Sequence, residues 1–234
     1  IADAQHTEAY LVGGYVRDLL LGRSVTDIDI VVVGDGIAFA RTIANVFGRT
    51  NLVIYETFGT ALLPLDNTKI EFVGARRESY HKDSRKPAVA TGTLQDDLSR
   101  RDFTVNAIAV SLNSPTFGNI IDPFRGREDL ARKLLRTPLE PAATFDDDPL
   151  RIMRAMRFSA QLGFEVEPQV LEAARSMSTR LSIVSQERIT DEFLKTMKSP
   201  RPSVGLQLMF DTGVLQVVFP EVAQMAGVDQ RKDH

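Results

Sequence analysis

The sequence predicts an α+β fold: a mixed sheet with helices over residues 1–137, followed by an all-α portion from residue 138. Three observations predict it. Short apolar and β-branched runs bounded by glycines recur as far as Ile121. The texture changes at Pro138 and Pro141, which mark a linker. Beyond them the apolar residues follow helical spacing.

In chain order, residues 10–13 read as a short strand running into the turn Gly13-Gly14. Residues 15–21 read as a helix with Val16, Leu19 and Leu20 on one face, stopped by Gly22. Ile28 to Val33 is a β-branched run and therefore a buried strand. Gly34-Asp35-Gly36 breaks it, and residues 37–47 form an amphipathic helix. Strands follow near 52–55 and 60–65, and another from Lys69 to Val73. Residues 76–93 are polar, contain Pro87 and read as a mobile loop. Residues 103–112 pack on the core as helix or strand; periodicity alone does not decide between them. Ile120-Ile121-Asp122-Pro123 closes the first region. Helices then span 147–162, 168–178, 185–197 and 202–213, punctuated by Gly163, Pro168, Pro200, Pro202, Gly213 and Pro220. The predicted domains are 1–137 and 138–220, with 221–234 starting a further helical region. There is no internal repeat and no low-complexity segment.

Bulk properties narrow the chemistry. With 234 residues, 43% hydrophobic and 25% charged, the composition is that of a globular protein. No apolar run approaches the roughly 20 residues that span a bilayer. No cysteine is present, which excludes disulfides and thiolate metal sites and fits a cytoplasmic location. The three histidines, His6, His81 and His234, argue against a zinc centre, so any metal is expected to take oxygen ligands. A net charge of −3 argues against a large non-specific nucleic-acid footprint. Local basic clusters stand against it: Arg76, Arg77, Lys82, Arg85 and Lys86, then Arg100 and Arg101, then Arg151, Arg154 and Arg157. The chain begins at Ile1 and stops at His234, which reads as a piece of a longer protein.

The chemistry centres on Thr26-Asp27-Ile28-Asp29-Ile30. Strand side chains alternate, so Asp27 and Asp29 share one face while Ile28 and Ile30 face the core. Two carboxylates so placed repel each other, and a divalent cation relieves the repulsion; oxygen ligands point to Mg²⁺. Gly13-Gly14, between strand and helix, lets backbone N–H groups approach a phosphate. Arg17 in the first turn of that helix opposes the dipole and calls for an anionic partner. Asp18 supplies one structurally and a nucleoside triphosphate supplies one functionally. Glu71 is the candidate third carboxylate; an exposed strand glutamate is the alternative. In the helix from Asp147, arginines at 151, 154 and 157 lie among apolar residues and need anionic partners, from Asp147 and Asp148 or from phosphates.

Residues 11–30, LVGGYVRDLLLGRSVTDIDI, resemble the first motif of the class II tRNA nucleotidyltransferase and bacterial poly(A) polymerase family. Arg100-Arg101-Asp102-Phe103-Thr104-Val105-Asn106-Ala107 is similar to its second block. The stretch from Asp147 through Arg151, Arg154 and Arg157 to Phe158 resembles its (E/D)DxxR motif, and Ser185-Gln186-Glu187-Arg188-Ile189 its neck helix. Asp147 stands where many members carry Glu.

The resemblance implies a polymerase β-like nucleotidyltransferase head and a helical neck. It fits catalytic Asp27 and Asp29 as the Mg²⁺ ligands, with Glu71 the candidate for the third catalytic carboxylate beside the reading of an exposed strand residue. It implies nucleotide binding by Gly14, Arg17, Arg101, Asp102, Asn106, Asp147, Asp148, Arg151, Arg154 and Arg157. In the family, residues matching Asp147, Asp148 and Arg151 read the Watson–Crick edge of the incoming base, and those matching Arg154 and Arg157 clamp phosphates. The expected activity is addition of C and/or A to tRNA 3′ ends from CTP and ATP, with no template. One rival is poly(A) synthesis; the region Gly48 to Tyr55 lacks the basic stretch usual in bacterial poly(A) polymerases. The other is a catalytically silent nucleotide- or RNA-binding module, which the intact motifs oppose.

Overall fold

The computed structural model describes residues 1–79 and 88–227. Two compact units result, residues 1–131 and the chain from Arg132 onward.

The first unit is built on a seven-stranded mixed sheet. Its elements begin β1 (Glu8–Val12), α1 (Gly13–Leu20), β2 (Asp27–Val33), α2 (Gly36–Val46), β3 (Val53–Tyr55), β4 (Thr60–Pro64) and β5 (Lys69–Gly74). They continue β6 (Arg76–Ser79), β7 (Ala88–Thr91), α3 (Leu94–Ser99), β8 (Ala109–Ser111), β9 (Ile120–Ile121) and α4 (Gly126–Arg132). The strand order is β3-β4-β5-β2-β1-β8-β9. β2 lies in the middle, parallel to β5 and antiparallel to β1.

Alternation on β2 divides two apolar clusters. Ile30 and Val32, with Ile28 against them, meet Phe39, Ala40 and Ala44 of α2 and Phe72 of β5. Val31 joins Val12, Leu98, Ala107 and Ala109 in the other cluster. Asp27 and Asp29 share the parity of Val31, so the carboxylates open the face that the second cluster closes lower down. α2 starts where Asp35 accepts hydrogen bonds from the backbone N–H of Ile37 and Ala38, each at 3.0 Å. Gly36 is required there: a Cβ would lie 2.5 Å from the Gly74 nitrogen.

Three expectations are corrected here. Leu19 and Leu20 are exposed, because α1 turns Val16 and the Arg17 side chain inward instead. The predicted loop 76–93 holds a two-stranded ladder, β6 against β7, and ends at Thr93, which caps α3; residues 80–87 lie outside the described residues, with Lys82, Arg85 and Lys86 among them. Residues 103–112 are neither one helix nor one strand: a 3-10 turn at Thr104–Asn106 leads into β8.

The second unit comprises β10 (Leu134–Leu135), α5 (Pro141–Asp147), α6 (Leu150–Leu162), β11 (Glu165–Val166), α7 (Pro168–Met177), α8 (Gln186–Met197), α9 (Pro202–Asp211), α10 (Val214–Val218) and α11 (Pro220–Ala223). It is helical but not purely so, since β10 and β11 form a short parallel ladder. Pro141 is no linker residue; like Pro168 and Pro202 it occupies a helix start, where its missing N–H is harmless. α6 is the core helix, buried from Ile152 and Met153 through Met156 to Ala160, and it packs on α8 and α9. The helix predicted over 147–162 starts later, at Leu150, and Asp147 instead ends α5. Asp148 precedes Pro149, whose ring disfavours helical backbone before it, and Asp148 is extended at φ −145° and ψ 101°.

Candidate active site

β2 and β5 place four charged side chains on one face. In register, Asp27 lies beside Lys69 and Asp29 beside Glu71. These four, with Gly14 and Arg17, line a cavity of about 350 Å³. Asp29 is the more enclosed carboxylate. Burial pushes its pKa up to about 6, the charge of Glu71 and then Asp27 push the same way, and Arg101 and Lys69 pull against them. Asp27 pairs with Lys69, Nζ to Oδ2 at 3.4 Å. Among the described residues, no three acidic or histidine side chains converge into a preformed cation cage. What exists is two aspartates and a neighbouring glutamate whose mutual repulsion a divalent ion relieves, and all their donors are oxygen. That donor set suits Mg²⁺.

Gly13 ends β1 and begins α1 with φ +71°, and a Cβ there would lie 2.8 Å from Arg101 Nη1 and 3.1 Å from Asp29 Oδ2. The backbone demands glycine outright, and the space demands that the ends of two site side chains shift to admit a Cβ. Gly14 meets neither demand: a Cβ there reaches Arg17 Nη2 at an ordinary 3.5 Å.

Arg17 is 5% exposed and its fork is engaged inside the protein. Nε and Nη2 donate to Asp18 at 2.9 and 2.6 Å, and Nη1 donates to Asn106 Oδ1 at 2.8 Å. Asn106 Nδ2 donates to Asp102 Oδ1 at 2.8 Å, and the Phe103 N–H donates to the same oxygen at 2.8 Å. α1 starts at Gly13, so Arg17 stands in its last turn and not in the first; the dipole does not oppose it there, and it is burial that requires the anion Asp18 supplies. Asp102 and Asn106 stand behind the cavity wall and hold Arg17. Arg101 donates through Nε and Nη2 to the buried Asp97 at 3.1 and 2.8 Å, and its Nη1 reaches the Asn106 carbonyl at 3.4 Å. Thr104 is held in turn by the buried Asp129, Oγ1 to Oδ2 at 2.6 Å.

In the second unit the arginines of α6 have distinct partners. Arg151 pairs with Asp147 at 3.2 Å and donates to the Thr144 carbonyl at 3.1 Å. Asp148, freed from helix by Pro149, accepts the Leu150 N–H on Oδ1 at 3.1 Å and Arg188 on Oδ2 at 2.8 Å. Arg154 and Arg157 both meet Glu192 of α8, at 3.6 and 2.6 Å. Arg157 also donates to Gln161 at 2.6 Å and stacks 4.0 Å over the Phe158 ring.

Sequence reasoning missed Glu192, which is 3% exposed. Its signal was present: Ile189, Glu192 and Thr196 share the inward face of α8, so a glutamate occupies a core position and requires a cation. It also missed Lys69, whose partner Asp27 comes from another strand, and Asp97, although its partner Arg101 is only four residues along.

Residues 9–136 match the family described as Poly A polymerase head domain, and residues 163–225 match the one described as Probable RNA and SrmB-binding site of polymerase A. The chain is 46% identical over 158 residues to the A-adding tRNA nucleotidyltransferase of Aquifex aeolicus (strain VF5), covering 68% of this chain and 19% of that protein. It is 39% identical over 209 residues to the CCA-adding enzyme of Geobacillus sp. (strain WCH70), covering 88% of this chain and 50% of that one. A solved CCA-adding enzyme in an apo form superposes with a TM-score of 0.83 at 35% identity, over 94% of this chain and 52% of that one. A tRNA nucleotidyltransferase complexed with a primer tRNA and an incoming ATP analog superposes at 0.79 and 32% identity, over 95% of this chain and 64% of that one. The chain thus spans about half the length of the CCA-adding enzymes it matches. With a carboxylate-lined cavity on the head sheet and the head-domain match covering more than half of its residues, the chain belongs to the poly(A) polymerase head-domain family, which includes the CCA-adding and A-adding tRNA nucleotidyltransferases.

Proposed function

We propose that this chain is the nucleotide-adding portion of a tRNA nucleotidyltransferase. It adds C and/or A to tRNA 3′ ends from CTP and ATP without a template. The observation that carries the reading is the β2–β5 face, where Asp27, Asp29 and Glu71 open on a cavity walled by Gly14 and Arg17. The tRNA 3′-hydroxyl attacks the α-phosphate and pyrophosphate leaves. Bound on Asp27 and Asp29, Mg²⁺ supplies charge to the attacking and leaving oxygens.

The chain's own contribution is positioning and electrostatics. Glu71 serves as the third carboxylate. Gly14 presents backbone to the triphosphate, and Arg17 and Arg101 face its charge. Asp102 and Asn106 set the Arg17 fork and the ribose contact. In the proposed neck domain, residues 138–220, Asp147, Asp148 and Arg151 read the base edge. Arginine there is a donor fork and aspartate an acceptor, so a small shift of the pair complements either C or A. Arg154 and Arg157 clamp phosphates.

The test is to offer tRNA ending before CCA, at CC and at CCA, with each nucleoside triphosphate singly. Stepwise addition that stops at CCA supports the reading. A long A tract from ATP overturns it in favour of poly(A) synthesis. A-addition alone is a second reading, favoured by the 46% identity to an A-adding relative. It predicts incorporation on tRNA ending in CC and none on tRNA ending before CCA.

A further inference from the structure

The face that carries the carboxylates also carries a cation. Register sets Lys69 beside Asp27 as it sets Glu71 beside Asp29, and the Lys69 ammonium lies 3.4 Å from Asp27 Oδ2. Backbone imposes this position. The Lys69 N–H donates to the Thr26 carbonyl at 3.4 Å, and the Thr68 hydroxyl donates to the same oxygen. Lys69 therefore stays next to Asp27 whether or not the ion pair forms. Both side chains line the cavity, and they are 50% and 61% exposed. An exposed pair of this kind adds little to stability, so fold maintenance does not account for it.

We propose that Lys69 is the internal counter-cation of the metal site: its ammonium holds the Asp27 carboxylate until a divalent ion displaces it, and its charge lowers the affinity of the site for that ion. The inference rests on the reading of Asp27 and Asp29 as metal ligands. Two effects act in the same direction. The ammonium and the ion compete for one carboxylate. Once displaced, the ammonium remains tethered on the same strand face and repels the ion across a few ångströms. Solvent access keeps the combined effect modest, on the order of three- to tenfold in the dissociation constant.

The experiment is Mn²⁺ binding to the 234-residue chain without nucleotide, followed by the electron paramagnetic resonance signal of the free ion. Wild type is compared with Lys69→Met, Lys69→Gln, Lys69→Arg and Asp27→Asn. Both neutral variants are expected to bind Mn²⁺ about three- to tenfold more tightly, with Lys69→Arg staying near wild type. Because the gap is Coulombic, it narrows between about 0.05 M and about 0.5 M salt. Unchanged or weaker binding by both neutral variants, at wild-type melting temperature, overturns the role of Lys69 and leaves the metal reading in place. Asp27→Asn tests that reading separately. Loss of Mn²⁺ binding there supports the shared carboxylate, and unaltered binding overturns both the metal assignment and the competition built on it.

Discussion

At the residue scale, Asp29 carries a cost in the metal-free chain. Its carboxyl ionises near 3.8 when unfolded and at about 6 when folded. Between those values the folded state holds the proton that the unfolded state has lost, so stability falls as pH rises through that window and stays lower above it. Without metal, Asp29→Asn is expected to stabilise the fold at pH 8 by about 1–2 kcal/mol, allowing for residual solvent, and to change little at pH 3.5. Chemical denaturation at the two pH values checks this, and equal effects at both would remove the argument. Gly13 is under a different constraint. Gly13→Ala places a methyl against Arg101 and Asp29 on a left-handed backbone, so destabilisation by about 1–3 kcal/mol and loss of nucleotide incorporation are expected together. The same substitution at Gly14 meets only ordinary contacts and is expected to leave the melting temperature close to wild type. Thermal melts of the two variants side by side decide it.

At the scale of elements, the α6 arginines are organised by a neighbouring helix. Glu192 on α8 faces both Arg154 and Arg157 from a buried position. Removing it takes a carboxylate away from Arg157 at a site where water does not replace it. Glu192→Ala is expected to cost about 3 kcal/mol or more, with nucleotide KM rising because both arginines lose their orientation. Urea unfolding and steady-state kinetics read the two effects; a variant that binds nucleotide as wild type argues against the arginine assignment. The break between α5 and α6 makes a second case. Pro149 keeps Asp148 extended, which lets one carboxylate cap Leu150 and hold Arg188. Pro149→Ala permits α5 and α6 to join into one continuous helix. The expected result is more ellipticity at 222 nm with poorer discrimination of CTP and ATP from UTP and GTP. Unchanged selectivity alongside increased helicity would show that the bend is dispensable for base choice.

At the scale of the whole molecule, ligand linkage gives the simplest readout. A ligand that binds only the folded chain, at about 100 times its dissociation constant, adds about 2.7 kcal/mol. For a chain of this size that is roughly a 5–10 °C rise in melting temperature. CTP or ATP with Mg²⁺ is expected to produce such a shift in wild type and not in the Asp27→Ala/Asp29→Ala double variant. A shift that survives the double substitution separates nucleotide binding from the carboxylates. The net charge of −3 sets a further expectation at this scale. With no excess of cations to release counterions, tRNA binding by this chain is expected to show a shallow salt dependence.

Much of this was legible in the sequence because local rules governed it. The β-branched run of β2, the break at Gly34-Asp35-Gly36 before α2 and the helical apolar spacing of α6 to α9 each express a preference of a few neighbouring residues. The motif order identified the family for the same reason, since spacing along the chain survives without knowledge of the fold. What the sequence alone left open is where a partner comes from a distant segment. Asn106 reaches Arg17 across 89 residues, and Glu192 reaches Arg157 across 35. Lys69 meets Asp27 only because β5 joins β2 in parallel register. Periodicity places a side chain on a face but does not say what faces it, so the sequence determined the fold class, the order of the elements and the residues at issue. Tertiary structure decided which arginines already hold a carboxylate, which glycine has a left-handed backbone and which cation sits on Asp27. Those pairings depend on strand register and helix packing, and both are set by burial of the whole core at once.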